Sequence, residues 1–316
     1  MLNLEKHWYR DSLTPLTMFL LPFSWCFGGL VKLRRFIYRF QKTTPFTAPI
    51  IVVGNITVGG TGKTPMVIWL VNFLKKQGLQ PGIVSRGVGG KQQIKPRWVT
   101  TESKPDEVGD EAILLVRNTE VPLVIGIDRV AAVHELLAKT KCNIVISDDG
   151  MQHYRLHRDM EIALIDPVRH LGNKQLLPAG PLRESPARLK TVDFVLEDRC
   201  VKFENAVVSV VNNNEKKLLT ELNKKIHAIA GIGHPQRFFD LLCDAGFDVI
   251  KHVFPDHYLY QPSDIYFQDD LPVIMTEKDA VKCKYFADAR HWFLPISLGV
   301  DEKFSRAILT RLKELI

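Results

Sequence analysis

The hydrophobic pattern after residue 45 alternates short apolar runs with stretches of helical periodicity. Apolar runs of this length, bounded by turn signals, are typical of buried strands, and the stretches between them have the spacing of amphipathic helices. The alternation predicts an α/β fold with a mostly parallel sheet flanked by helices. The predicted strands begin at Ile50, Pro81, Pro122, Cys142, Glu161 and Asp193.

A second α/β series occupies the carboxy-terminal third. Residues 200–220 are polar and weakly patterned, which predicts a linker or exposed turn. Beyond this segment, apolar runs begin at His227, Pro272 and Phe293, and a final helix ends the chain. We therefore predict three units: an amino-terminal segment over 1–45, a core domain over 46–215, and a smaller α/β domain over 216–316 that closes over a cleft.

The amino-terminal segment is the most apolar part of the chain. Residues 13–31 carry no charged side chain, and their number approaches the roughly 20 residues that span a bilayer. Pro15, Pro22 and the Gly28-Gly29 pair weaken a single spanning helix. The sequence therefore favours a helix that lies on a membrane surface.

The end of this segment is amphipathic. Its apolar residues share one helical face and its basic residues another, as in an interfacial helix: Leu30, Leu33, Ile37 and Phe40 against Lys32, Arg35 and Arg39. Arg34, Arg35 and Arg39 are then expected to meet lipid phosphates. The alternative is a core helix with a solvated basic face.

The net charge of +7 attracts anionic partners without choosing among them. Positive charge accompanies apolar residues in the first 40 positions, so we expect a membrane surface and not nucleic acid as the partner. No obligate protein partner is indicated. Five widely spaced cysteines without a CxxC pair suggest neither a disulfide framework nor a zinc site.

The segment TVGGTGKTP follows the first predicted strand and precedes a helical run. Such a glycine-rich loop presents backbone N–H groups and the positive end of a helix to phosphate oxygens. Lys63 would reach the β- and γ-phosphates, and the Thr64 hydroxyl would bind Mg²⁺. The strict pattern needs glycine where Thr57 stands, so this is a variant loop, and a purely structural turn is the alternative. The predicted nucleotide-binding residues are Thr57, Val58, Gly59, Gly60, Thr61, Gly62, Lys63 and Thr64.

The segment IVISDDGMQH is a second chemical signal, because its apolar strand ends in Asp148 and Asp149. A carboxylate at a strand end can hold Mg²⁺ opposite a phosphate-binding loop. Asp-Gly pairs also form ordinary turns, which is the alternative. The glycine-rich loop upstream favours the metal-binding interpretation for both aspartates.

Further motifs follow in order along the chain: SRG from Ser85, VGDEA from Val108, Asp128-Arg129, LLPAGPLRE from Leu176, AGIGHPQRFF from Ala230, FPDHY from Phe254 and TEKDAVK from Thr276. With Trp8-Tyr9 and the two motifs above, they make nearly the whole chain resemble the tetraacyldisaccharide 4'-kinases, also called lipid A 4'-kinases. Two positions depart from that family's pattern, Val88 in place of Tyr and Met151 in place of Phe. We expect both to be variations in packing or substrate contact.

The resemblance implies a P-loop kinase that uses ATP and Mg²⁺. It would transfer the γ-phosphoryl group to the 4'-hydroxyl of a tetraacylated glucosamine disaccharide 1-phosphate in lipopolysaccharide synthesis. The expected location is the cytoplasmic face of the bacterial inner membrane. The alternative is a membrane-associated P-loop ATPase switch that acts on a protein partner.

The resemblance also suggests roles for individual residues. Asp110 is the candidate base with His257 assisting it, although they resemble a helix N-cap and a turn histidine as well. Glu184 is expected near the metal, with simple surface charge as its alternative. The candidate substrate-binding residues are Arg86, Arg129, Gln152, His153 and Arg183.

Overall fold

The computed structural model describes residues 4–10, 12–41, 43–91, 94–197, 200–212 and 214–315. The helices are α1 (Glu5–Trp8), α2 (Pro15–Phe40), α3 (Lys63–Lys76), α4 (Pro105–Val108), α5 (Asp110–Thr119), α6 (Arg129–Lys139), α7 (Pro235–Asp244), α8 (Pro262–Ile265), α9 (Glu277–Cys283) and α10 (Glu302–Lys313). Short 3-10 helices lie at Pro186–Thr191 and Leu219–Glu221.

The strands form three sheets. They are β1 (Ile50–Gly54), β2 (Pro81–Ser85), β3 (Arg97–Val99), β4 (Leu123–Ile125), β5 (Ile144–Asp148), β6 (Met160–Leu164), β7 (Phe194–Leu196), β8 (Cys200–Phe203), β9 (Ala206–Ser209), β10 (Lys216–Leu218), β11 (Lys225–Ala230), β12 (Asp248–Val253), β13 (Val273–Thr276), β14 (His291–Leu294) and β15 (Ile296–Gly299). The six strands predicted for the core domain are confirmed, each within two residues of its predicted start.

The first sheet has the order β3-β4-β2-β5-β1-β6-β7 and is parallel except for β3 at one edge. Every residue of β1 and β5 is buried, because helices cover both faces. Side chains of α3 and α5 pack on one face and those of α6 on the other. Since β1 and β5 are neighbours, the loops after their carboxyl ends meet at the same edge, where α/β proteins build their sites.

The second sheet has the order β10-β9-β14-β13-β11-β12. The strands β14, β13, β11 and β12 are parallel to one another. Strand β9 pairs antiparallel with β14, and β10 pairs antiparallel with β9. Residues 200–220 are not a linker, because this polar stretch contains three strands. The exposed-turn alternative agrees with the connection between β9 and β10, where the Glu215 N–H donates to the Asn212 carbonyl; residue 213 lies outside the described residues. A boundary at residue 216 falls between β9 and β10 of one sheet, so we propose that the second unit begins near residue 206.

The last helix does not stay with the second sheet. Ile308 and Leu312 of α10 are buried in the same core as α3. The ring of Phe304 lies 6.2 Å from Trp69 and 5.6 Å from Phe194 of the first unit. The carboxyl terminus therefore packs against the first sheet and ties the two units together.

Residues 15–40 of the amino-terminal segment form one continuous helix, α2, which Pro15, Pro22 and the Gly28-Gly29 pair do not interrupt. Pro15 occupies the first turn, where no backbone N–H is needed, and the Thr14 and Thr17 side chains form a capping box. Pro22 lies inside the helix. By length and composition alone, α2 is long and apolar enough to cross a membrane.

Helix α2 contacts the rest of the chain through a narrow stripe of small residues. Thr17, Ser24 and Gly28 are its buried positions, and Ser24 Oγ donates to the Leu176 carbonyl at 2.6 Å. Its large apolar side chains are exposed: Met18, Phe19, Phe23, Trp25, Leu30, Leu33, Phe36, Ile37 and Phe40. The helix is therefore not a core helix, and the alternative that left it buried in the protein is wrong.

Candidate active site

The glycine-rich loop joins β1 to α3 in the predicted strand–loop–helix order. Gly59 and Gly62 have φ angles of 100° and 72°, which only glycine adopts easily. Lys63 is the first residue of α3, and its Nζ lies 3.5 Å from Asp149 Oδ1 and 3.4 Å from Asn55 Oδ1. The loop thus holds an ammonium group at the positive end of a helix, an arrangement suited to phosphate.

Asp148 ends β5, and Asp149 follows it with a φ of 48°. Asp148 is buried and accepts a hydrogen bond from Ser85 Oγ at 2.9 Å. Burial and the nearby carboxylates of Glu111 and Asp149 raise the pKa of Asp148 to about 7. Burial alone would also raise the pKa of Asp149, but Lys63 and Arg183 outweigh it and hold that pKa below its usual range.

A layer of side chains supports this pair. Arg183 Nη1 lies 3.3 Å from both carboxylate oxygens of Asp149 and 3.2 Å from Gln152 Oε1. Gln152 Nε2 donates to the Asn55 carbonyl at 3.0 Å and to Glu184 Oε1 at 2.9 Å. The two predicted residues Gln152 and Arg183 therefore connect the Asp149 loop to the glycine-rich loop.

Two predicted ligands do not face the cleft. Glu184 is 2% exposed, lies behind Gln152 and has its second oxygen 3.6 Å from Arg188 Nε. Thr57 is 4% exposed, and its hydroxyl accepts a hydrogen bond from Asn55. Neither is among the described residues that line the cleft. The geometry assigns both to supporting the loops, because their polar atoms are engaged by buried neighbours.

Asp110 and His257 come together from the two units. Asp110 is the first residue of α5 and is 3% exposed, and His257 Nδ1 lies 3.2 Å from its Oδ1. Gly109, not Asp110, occupies the N-cap position. The hydrogen bond raises the pKa of His257 above 6.5, and despite burial the cations around Asp110 hold its pKa low.

One cleft of about 920 Å³ is lined by most of these groups. Its walls include loop residues Val58 to Pro65, both aspartates, His257, and all five predicted substrate-binding residues: Arg86, Arg129, Gln152, His153 and Arg183. Burial and nearby arginines lower the pKa of His153 to about 4, so its ring is neutral at pH 7. Arg34 of α2 also lines the cleft, which therefore reaches from the amino-terminal helix to the second unit.

The comparisons with known proteins give the family of the chain. A model of the family described as "LpxK: Tetraacyldisaccharide-1-P 4'-kinase" matches residues 16–313. This chain belongs to the tetraacyldisaccharide-1-phosphate 4'-kinase family. The chain is 48% identical to a tetraacyldisaccharide 4'-kinase of Methylobacillus flagellatus over 99% of this chain and 96% of that one. It is 46% identical to one of Coxiella burnetii over 100% and 97% of the two chains.

A solved structure is similar as well. A crystal structure of LpxK from Aquifex aeolicus in complex with ATP has a TM-score of 0.79 and 28% identity, and the match covers 94% of this chain and 99% of that chain. The predicted family, fold class and kinase activity are confirmed. The two departures from the family pattern lie in different places: Met151 is fully buried, and Val88 lines the cleft.

Sequence reasoning assigned no role to several residues of this kinase that surround the Asp110–His257 pair. Lys278 Nζ lies 3.1 Å from Glu111 Oε1 and 3.0 Å from Asp256 Oδ1. All three residues line the cleft. They stand inside the quoted motifs VGDEA, FPDHY and TEKDAVK, but nothing in the sequence states that these motifs meet.

Gly109, which precedes Asp110, allows the backbone of Val88 to approach closely. An added Cβ would lie 2.2 Å from the Val88 carbonyl oxygen, and the φ of 89° already disfavours a side chain. Gly78 has a similar φ of 80° but open space around it. We expect Gly109→Ala to destabilise the fold by about 3 kcal/mol or more, and Gly78→Ala by about 1 kcal/mol. Thermal unfolding of the two variants measures the difference, and equal losses would contradict the predicted clash.

Proposed function

We propose that this kinase transfers the γ-phosphoryl group of ATP to the 4'-hydroxyl of a tetraacylated glucosamine disaccharide 1-phosphate. The observation that carries the proposal is one cleft lined by the glycine-rich loop, Asp148, Asp149 and His257, whose Nδ1 lies 3.2 Å from the buried Asp110. ATP is the donor by analogy with the Aquifex aeolicus structure, which is in complex with ATP. The triphosphate would lie along residues 58–64, with Lys63 against its β- and γ-phosphates.

Mg²⁺ fits the residues at the edge of the first sheet. The hydroxyl of Thr64 and the carboxylates of Asp148 and Asp149 are oxygen donors, which this cation prefers. Burial and the neighbouring carboxylates raise the pKa of Asp148 to about 7 because they disfavour its negative charge, and a bound cation would stabilise the ionised carboxylate. When bound, Mg²⁺ would neutralise charge on the β- and γ-phosphate oxygens.

The transfer step needs a group that accepts the proton of the attacking hydroxyl. Asp110 engages His257 Nδ1 and does not line the cleft, whereas His257 does. We therefore assign proton acceptance to His257 Nε2 and stabilisation of the resulting imidazolium to Asp110, which reverses the roles expected from the sequence. As the 4'-oxygen bonds to the γ-phosphorus, the bond to the β,γ-bridging oxygen breaks and ADP leaves.

The lipid substrate would reach the cleft from the membrane beside α2. The exposed apolar residues of α2 would enter the bilayer at the cytoplasmic face of the inner membrane, with the carbohydrate headgroup directed toward Arg34. Only Arg35 among the predicted lipid-binding arginines donates a hydrogen bond to the protein, at 3.0 Å to Thr191 Oγ1 within the described residues. Arg34, the residue before Arg35, lines the cleft.

The test is transfer of labelled γ-phosphate from ATP to a tetraacyl disaccharide 1-phosphate in detergent micelles. We expect labelled lipid whose new phosphate is at the 4' position. ATP hydrolysis without labelled lipid would refute the proposal and support the ATPase switch instead.

The proposed role of α2 predicts how the protein partitions onto lipid. Phe19 and Phe23 are 72% and 57% exposed, and replacing both by Ser removes apolar surface from the bilayer-facing side. We expect binding to vesicles of anionic phospholipid to weaken at least about tenfold, since one buried Phe contributes on the order of 2 kcal/mol. Sedimentation with vesicles measures the binding.

The matched control is Leu259→Ser, which removes an apolar side chain that is 63% exposed in the second unit. We expect vesicle binding of this variant to equal that of the unmodified protein. If the Phe19 and Phe23 double variant also binds unchanged, the apolar face of α2 is not the membrane contact.

A further inference from the structure

Lys278 occupies the junction between the two units. It is the second residue of α9, and its side chain is 14% exposed. Its Nζ is held between Glu111 of the first unit and Asp256 of the second, at 3.1 and 3.0 Å. A partly buried ammonium group that pairs with carboxylates on both sides joins the units at this point.

The same ammonium group faces both members of the Asp110–His257 pair. Nζ lies 3.5 Å from His257 Nε2, the ring nitrogen that Asp110 does not engage, and 3.9 Å from Asp110 Oδ2. That buried oxygen has no hydrogen-bond partner among the described residues. The contact to Nε2 is at the long limit of a hydrogen bond, and the His257 side chain lines the cleft and is 30% exposed.

A second lysine near the pair, Lys282, forms its shortest ion pair with a different carboxylate. Lys282 Nζ also lies 3.9 Å from Asp110 Oδ2, but it is 2.8 Å from Asp279 Oδ1. Asp279 is fully buried and accepts hydrogen bonds from Thr276 Oγ1 and the Gly231 backbone N–H. Lys282 therefore belongs to a network within the second unit, and Lys278 alone of the two lines the cleft.

We propose that Lys278 is a positioning residue of phosphoryl transfer, which aligns the Asp110–His257 pair across the two units and keeps it in its proton-accepting form. The proposal rests on the function proposed above and adds a residue to it. Lys278 contacts Glu111, Asp256 and the Asp110–His257 pair. We do not propose that it contacts the reacting atoms. It acts on the reaction through His257.

The charges around the Asp110–His257 pair determine how the pKa of His257 changes when the charge of Lys278 is removed. Asp110 and Asp256 raise the pKa of His257, while burial and Lys278 lower it. Asp110 is faced by His257, Lys278 and Lys282, which together hold its pKa low against burial. The surrounding carboxylates raise the pKa of Lys278 itself, so it remains an ammonium group. Removing its charge should therefore raise the pKa of His257.

The first measurement is a histidine NMR titration of the full-length protein in detergent micelles, with His257→Gln used to assign the signal. In Lys278→Met we expect the His257 titration to move up by about one pH unit, as for loss of a cation within about 4 Å. In Lys278→Arg, which keeps the charge, we expect the titration to stay in place. Lys303→Met, an exposed lysine of α10, is the control that should change nothing.

The second measurement is the pH dependence of kcat/KM for lipid phosphorylation. The acidic limb of Lys278→Met should move to higher pH by the same amount as the NMR titration, and that of Lys278→Arg should not move. A residue that only joined the units would lower the rate of both variants without moving the limb. Thermal unfolding establishes that both variants fold.

Two results would overturn the proposal. If the pKa of His257 is the same in Lys278→Met and in the unmodified protein, Lys278 has no electrostatic effect on His257. This conclusion holds whichever residue accepts the proton. A titration that moves while the rate limb stays in place shows that Lys278 does not act on transfer through His257. Failure of the proposed function is a separate result, since it is seen as the absence of labelled lipid with the unmodified enzyme.

Discussion

Replacement of Asp110 by Asn is expected to lower kcat for lipid phosphorylation by about 10²- to 10⁴-fold. The carboxylate is 3% exposed, and its Oδ1 accepts a hydrogen bond from His257 Nδ1 at 3.2 Å. The amide keeps the shape of the side chain but removes the negative charge that stabilises an imidazolium. Lys278 and Lys282, each 3.9 Å from Oδ2, then face a neutral group.

The pKa of His257 determines the direction in which the acidic limb of the rate moves in this variant. Asp110 raises the pKa of His257 above 6.5, and a group with a raised pKa binds its proton until higher pH. The rate of the unmodified enzyme should therefore rise with pH along a limb centred above 6.5. In Asp110→Asn the limb should move to lower pH, opposite to the shift expected for Lys278→Met.

Asp106→Asn is the matched control, since this exposed aspartate lies four residues earlier in the short helix α4. Its kcat and its pH profile should equal those of the unmodified enzyme. A normal rate for Asp110→Asn, with normal thermal stability, would remove the pair from the mechanism.

Lys63→Met is expected to lower phosphoryl transfer by about 10³-fold, since the lysine is the loop cation that would meet the β- and γ-phosphates. Its Nζ lies 3.5 Å from Asp149 Oδ1, and its charge holds the pKa of Asp149 low. The methionine side chain has a similar length without the charge. The substitution should therefore displace the γ-phosphate and raise the pKa of Asp149.

ATP-induced thermal stabilisation separates binding from catalysis in this variant. We expect ATP to raise the melting temperature of the unmodified enzyme and to raise that of Lys63→Met less. Lys76→Met, at the exposed end of the same helix, is the control and should behave as the unmodified enzyme does. If Lys63→Met keeps full transfer activity, the loop does not hold the reacting phosphates.

The sequence by itself determined the features that depend on neighbouring residues. Apolar runs predicted the six strands of the first unit, and the glycine-rich loop lies between a strand and a helix as its motif required. Asp148 and Asp149 stand at the end of β5 because the apolar run stops there. These signals are local, since strand burial and loop conformation follow from a few consecutive residues.

Strands made of polar residues cannot be predicted from apolar runs. β10 consists of Lys216, Lys217 and Leu218, all exposed, and it exists because β9 offers it a hydrogen-bonding edge. The continuity of α2 through Pro22 was likewise not predicted from the residue types. In both cases the partner segment or the whole helix outweighs the local preference of single residues.

Only the tertiary structure decided which polar residues meet. Asp110 and His257 are 147 residues apart and reach 3.2 Å because the second unit packs against α5. The same packing brings Lys278 to Glu111, and contacts with Asn55 and Gln152 hold Thr57 and Glu184 outside the cleft. A sequence motif specifies which side chain is available at a position, but its partner, burial and charge environment depend on segments distant in the chain, and these set whether it binds, reacts or supports.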